Sequence, residues 1–304
     1  MREFISHFDE WDTQSKIVIA RVVKTWGSSP RPVGSALIID EKDKMYGSVS
    51  GGCVEGAVLK KAKELLEDNK KFAIEDYGVS DDDAWQVGLS CGGKLTVLIQ
   101  VLEKGDFRNS LFEKIRNEDS FYWLTNLENG NNWIADTEEA SDHIFSQRIK
   151  RKPTMLIIGA AHISSDLIHL AKFYDFATVV IDPRSTFAKN INFDEKPDEI
   201  IESYPSEVLN NYKLDGECFA IILSHDPKID DNALQILLRK PVAYIGALGS
   251  RRTHAKRVER LKESGFTDEE IGKIHAPIGL DISARTPNEI ALSIMAEVIA
   301  SKNK

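Results

Sequence analysis

The chain has 304 residues, 42% hydrophobic and 29% charged, with a formal net charge of −9 at pH 7. That length favours two domains over a single core, and the negative balance excludes non-specific binding to nucleic acid or to an anionic membrane. Three scattered cysteines, Cys53, Cys91 and Cys218, exclude a disulfide framework or a Cys₄ iron–sulfur cluster and point to a reducing, cytoplasmic compartment.

The N-terminal MREFISHFDEW lacks the apolar core of an export signal, and no window approaches the roughly 18 apolar residues of a membrane span. Lys16 to Thr25 (KIVIARVVKT) alternates and is rich in Ile and Val, which predicts a strand; Ser35 to Asp40 predicts a second. Between them Pro30 and Pro32 stiffen the loop around Arg31, whose guanidinium either clamps an anion or is simply solvated. Tyr46 to Val49 end a third strand, Gly51-Gly52 turn the backbone, and Val54, Val58, Ala62 and Leu65 then share one helical face. This puts Cys53 at the first residue of a helix, where unpartnered N–H groups would lower the thiol pKa and favour thiolate. Cys91 stands in a second glycine-flanked turn, GLSCGGK, where Gly92 and Gly93 clear side chains from beside it. Such bare backbone suits a bulky ligand; the bland alternative is that both cysteines are small apolar fillers of tight turns.

Past that turn, Leu95 to Val101 reads as a strand, Phe107 to Arg116 as a helix and Phe121 to Ala135 as a hairpin about ENGNN. The polar, unpatterned stretch Glu138 to Lys152 reads as a linker, so the expected domains are 1–150 and 151–304. Beyond Pro153 strands and helices alternate. Strands are expected at Thr154–Ile158, Thr178–Ile181, Phe219–Leu223 and Val242–Ile245, and helices at Ser164–Phe173, about 229–239, 251–264 and 287–301. The fold class is therefore α/β: an N-terminal mixed α/β domain, then a C-terminal Rossmann-like doubly wound parallel sheet.

Gly159 at a helix start, with Asp182 at the end of the next strand, has the layout of a dinucleotide-binding unit. Ala161 and Ser164, however, stand where the G-x-G-x-x-G fingerprint needs glycine, which argues against NAD(P) or FAD, while orphan N–H groups there still suit a phosphate or pterin. His162, Arg184, His225 and Asp226 fall at the carboxyl edge of the same sheet, where such folds place ligands, although a loop histidine is as readily a structural hydrogen-bonding residue. In the cationic run Gly249 to Arg257, Ser250, Arg251 and Arg252 open a helix and either suit an anion or form a solvated basic face. HAPIGLDISAR, 275–285, is expected to pack across the sheet edge, and Cys218 reads as structural. No serine-nucleophile elbow, P-loop or H-E-x-x-H occurs, so no catalytic residue is assigned.

Several strings, in order along both halves, carry a family resemblance: GSSPRPVGSALII at 27–39, GSVSGGCVEG at 47–56, GLSCGG at 88–93, GAAHIS with IDPR, LSHDPKID at 223–230, YIGALGSRRTHAKR at 244–257 and HAPIGLDISARTPNEIALSIMAEV at 275–298. The chain resembles the XdhC/CoxI accessory proteins of molybdenum hydroxylases such as xanthine dehydrogenase, departing from their GAGHV-like phosphate turn at Ala161. The resemblance implies a chaperone that binds the molybdenum cofactor in a molybdopterin form. Such a protein protects the cofactor while a cysteine desulfurase replaces an oxo ligand by sulfur, then passes it to the apo-hydroxylase. On this reading Cys53 and Cys91 are metal ligands in a pocket with Arg31, Gly51, Gly52 and Gly92. Further contacts come from Gly159, His162, Asp182, Arg184, His225, Asp226, Arg251 and Arg252, and there is room for a homodimer. The competing class is an NAD(P)- or flavin-dependent oxidoreductase using the second domain; a scaffold with no small ligand is the third.

Overall fold

The computed structural model describes residues 1–28, 31–78, 93–184 and 195–303. The chain divides into two compact units, Met1–Arg151 and Lys152–Lys304.

In the first unit, strands β1 (Lys16–Trp26), β2 (Ala36–Ile39), β3 (Met45–Gly47), β4 (Phe72–Gly78) and β5 (Lys94–Glu103) form an antiparallel sheet in the order β3-β2-β1-β5-β4. Side chains alternate across a strand, so the central β1 serves two cores. Val18, Ala20 and Val22 pack with Val58, Ala62 and Leu65 of helix α2 (Glu55–Glu67). Ile17 and Ile19 face the other way, onto Phe8, Trp11, Phe112 and Trp123. These come from the N-terminal helix α1 (Phe8–Asp12), from α3 (Asp106–Arg116) and from a second antiparallel sheet of β6 (Phe121–Asn126), β7 (Asn132–Ala135) and β8 (Ile144–Ile149), ordered β7-β6-β8. Each such apolar side chain contributes about 1.5–3 kcal/mol on burial. Coverage on both faces is why KIVIA reads as an unbroken apolar run.

The segment expected to be a linker is corrected by β8, which pairs along the whole of β6. Its inward residues, Phe145, Gln147 and Ile149, are buried and its outward ones polar or half-exposed. A glutamine in one of the three inward positions hid the two-residue period.

The second unit is a parallel sheet of β9 (Thr154–Ile158), β10 (Ala177–Ile181), β11 (Glu199–Ile201), β12 (Cys218–Ile222), β13 (Tyr244–Ala247) and β14 (Ile274–His275). Its order, β11-β10-β9-β12-β13-β14, places the first strand at the centre and reverses direction there, the doubly wound arrangement whose ligands lie outside the carboxyl ends of the strands. On one face α4 (His162–Phe173) and α9 (Pro287–Lys302) cover Met155 and Ile157; on the other α6 (Pro227–Leu237) and α7 (Arg251–Glu263), with the short helices α5 (Pro205–Leu209) and α8 (Asp268–Ile271), cover Leu156 and Ile158. β13 starts at Tyr244 rather than Val242. The 275–285 segment begins at His275, the last residue of the edge strand β14, and then packs on α9, where the Gly279 N–H donates to Glu297 (2.7 Å).

Candidate functional site

Cys53 is not the first residue of a helix. Helix α2 begins at Glu55 with Val54 as its N-cap, and Cys53 precedes both, half-buried, with its N–H donating to Ser50 Oγ (2.9 Å). The expectation rested on helix-start amides facing the sulfur. Glu55, which the sequence reading passed over, turns back and takes the local donors instead. Its carboxylate accepts from the N–H groups of Val49 (3.1 Å), Ser50 (3.0 Å), Gly52 (2.9 Å) and Val54 (3.2 Å) and from the hydroxyls of Ser48 and Ser50. Burial raises the Glu55 pKa, but these hydroxyl and N–H donors outweigh it and hold the carboxyl down to about 2. Gly51 and Gly52, with φ of 78° and 112°, give the loop its left-handed turn, and a side chain at Gly52 would point into open space. The result is a rigid, exposed glycine shelf beside one thiol. Cys91 and Gly92 lie outside the described residues.

Arg31 lines a hollow of about 400 Å³ with Pro32 to Ser35 and Phe145 to Arg148; Cys53 is not on its wall. Near it, Arg21 sits on the Ile17–Ile19 side of β1, fully buried, with its guanidinium 3.6 Å from the centre of the Trp123 ring. It donates to Gln147 (3.2 Å), Gln100 (2.8 Å) and Thr125 (2.6 Å), all neutral, and burial pulls its pKa down to about 9. A charged residue at inward parity within an apolar strand was the available signal. Among the described residues, no three His, Cys, Asp or Glu side chains cluster as a metal site.

The carboxyl edge of the parallel sheet gathers most of the remaining expected residues. Gly159, with φ of 101°, ends β9 so close to β12 that an added Cβ would lie 2.5 Å from Ser224 Cα. Its need for glycine therefore comes from strand packing. The fingerprint's missing glycines also have a local explanation: the Ser164 hydroxyl accepts from the Ala161 N–H (3.1 Å) and donates to the Gly159 carbonyl (2.9 Å). Asp182 accepts from the Ala160 N–H (2.8 Å), and both its oxygens are held by Arg184, at 2.9 and 2.7 Å. Burial works against the Asp182 anion, yet the Arg184 and Ala160 donors outweigh it and keep the carboxyl below its ordinary value. Two N–H groups expected to await a phosphate are thus engaged within the chain.

His162 is exposed at the first position of α4, and His225, also exposed, has a φ of 61°. Asp226 caps α6 by accepting from the Lys228 N–H (2.9 Å). Arg251 and Arg252 open α7, whose N-cap Ser250 accepts from the Thr253 N–H (3.2 Å). Cys218 is buried at the start of β12, its Sγ 3.3 Å from the Lys213 carbonyl oxygen.

Comparison with known proteins follows this division. A family model described as the XdhC Rossmann domain matches residues 155–298, and one described as the XdhC and CoxI family matches residues 11–78. A Bacillus subtilis (strain 168) protein named as a probable xanthine dehydrogenase subunit is 27% identical, over 96% of this chain and 95% of its own length. The "Molybdenum cofactor insertion chaperone PaoD" of Escherichia coli (strain K12) is 26% identical, over 92% of this chain and 82% of its own. A crystal structure described as a xanthine dehydrogenase from Bacillus halodurans is 26% identical and superposes with a TM-score of 0.76, covering 99% of this chain and 95% of that one.

Proposed function

Because the chain belongs to the XdhC and CoxI family, we propose that it is a maturation protein for a molybdenum hydroxylase of the xanthine dehydrogenase type, with the molybdenum cofactor as its cargo. It binds the molybdopterin form, shelters it while a cysteine desulfurase exchanges an oxo ligand for sulfur, and delivers it to the apo-enzyme. The observation that carries the reading is the Cys53 shelf. A soft sulfur ligand suits molybdenum. Here it stands on backbone that Glu55 fixes from six donors, with open space over Gly52 for a bulky ligand. Cys91 is the second sulfur of this proposal.

The competing nucleotide-dependent oxidoreductase draws support from the strand order of the second unit. Against it stands Asp182, whose oxygens hold Ala160 and Arg184 where a dinucleotide site would offer a carboxylate to a ribose hydroxyl. The two readings separate when the protein is purified anaerobically from cells that make the cofactor and its molybdenum and pterin are measured. Wild type is expected to retain both and the Cys53→Ser/Cys91→Ser double variant neither; equal retention by the two proteins would overturn the assignment.

A further inference from the structure

Between α6 and α7, at the ends of β12 and β13, lies a hollow of about 270 Å³ walled by His225, Asp230, Arg252, Thr253, Lys256 and Arg257, with Arg260 at one side. Its charges are unevenly matched. Arg260 is held by both carboxylate oxygens of Asp231. Arg257 lies 3.5 Å from Asp230 and donates to the Leu248 carbonyl (3.0 Å) through the same Nη2. Its Nε and Nη1 are buried without a hydrogen-bond partner among the described residues, on a side chain only 3% exposed. Arg252 and Lys256 have no carboxylate within ion-pair distance among the described residues, and at i and i+4 they share one face of α7.

A buried guanidinium with two idle N–H-bearing nitrogens is costly unless something accepts from them. The groups around it fit one kind of acceptor. Ser250 caps the Thr253 N–H, and the Arg251 and Arg252 amides that open α7, a helix of 13 residues, point outward with partial positive charge. Two unopposed cations add to that field. A carboxylate offers one charge and two oxygens, whereas a phosphoryl dianion offers about two charges and three oxygens and so meets more of these donors. A hollow of about 270 Å³ is below the usual range for a whole drug-sized ligand, which fits one end of a larger molecule.

We propose that the hollow at the start of α7 is a binding site for a phosphoryl group, free or as the end of a phosphate ester, with Arg257 at its floor and Arg252 and Lys256 at its mouth. The assignment does not rest on the molybdenum reading and concerns a different unit of the chain. Its test is calorimetric titration of the full-length protein with inorganic phosphate and, separately, with a nucleoside 5′-monophosphate, at constant ionic strength set with chloride. Saturable binding of at least one probe is expected; the tighter of the two tells free phosphate from an ester. Arg252 and Lys256 are exposed, so the Arg252→Ala/Lys256→Ala double variant keeps the fold and is expected to bind at least tenfold more weakly. Lys262→Ala, on the same helix outside the hollow, is expected to bind as wild type does. No saturable binding of either probe in the millimolar range, wild-type affinity in the double variant, or equal weakening by Lys262→Ala would each overturn the site.

Discussion

The Cys53 loop of the first unit and the start of α7 in the second both set N–H donors beside glycines at a helix start, yet they differ in what those donors meet. Around Cys53 a carboxylate of the chain itself, Glu55, already accepts from the loop. At the Gly159 turn, Asp182 and Ser164 do the same. At α7, by contrast, Arg257 keeps two buried nitrogens without partners, and Arg252 and Lys256 have no carboxylate within ion-pair distance among the described residues. Glycine and a helix start therefore say little about ligands until the internal acceptors are counted. An anion site whose anion is a side chain is architecture, and one lacking it points outward.

The largest expected effect tests the architectural side. Gly159→Ala combines a left-handed backbone with a Cβ 2.5 Å from Ser224 Cα, so a loss of about 4 kcal/mol is expected from strain and overpacking together. Urea unfolding followed by circular dichroism measures it; a loss under about 1 kcal/mol would mean that β9 and β12 separate easily. Glu55→Ala comes next, leaving the Cys53 loop without its common acceptor, and should cost about 3 kcal/mol, tempered by water at the exposed glycines. All five tryptophans lie within Met1–Arg151, so tryptophan fluorescence follows this unit selectively. The same carboxylate sets an acid limit. Its folded pKa, about 2, is below the ordinary 4.5, so its stabilisation is full above pH 4.5 and fades as pH falls towards 2, and Glu55→Gln should flatten that fall. Gly52→Ala should cost only about 1–2 kcal/mol, since its φ of 112° is unfavourable but nothing lies within 4 Å.

The fold was more legible in the sequence than the site because burial leaves a period and hydrogen-bond partnership does not. The Ile- and Val-rich run in KIVIA and the βα repeats after Pro153 located the central strands and helices of both units. β8 was lost because Gln147 faces inward, where it accepts from Arg21. At the site, glycines and cysteines stood out, but the residues that decide availability were ordinary acids and bases. Glu55 resembles any acid in a first helical turn until its six donors are seen. Arg257 was one of four cations in a run, and only its burial, with Asp230 and Leu248 taking one nitrogen, distinguishes it from Arg252. Ser164, which breaks the dinucleotide fingerprint, ties the turn together through the Ala161 N–H and the Gly159 carbonyl.

The smallest expected effect is the sharpest test of the contrast, because the half-buried Glu55 and the buried Asp230 should respond to pH with opposite signs. Asp230 is buried on the wall of the α7 hollow, and desolvation raises its pKa above the ordinary 3.8. The Ser224 hydroxyl, Arg257 and His225 pull it back, while Asp231 adds to the rise. A carboxyl with a raised folded pKa binds its proton more tightly in the folded chain than in the unfolded one. Its contribution to stability is therefore largest below pH 3.8 and falls as pH climbs through the raised value, the reverse of Glu55. Asp230→Asn removes that slope while keeping an oxygen to accept from Ser224, so the variant should gain on wild type as pH rises from about 4 to 7, by less than about 1 kcal/mol. Urea midpoints read by circular dichroism at several pH values in that window measure the difference. If the variant instead loses ground steadily with rising pH, the carboxylate is the better partner of Arg257 in its charged form, and the hollow already contains the anion that its cations require.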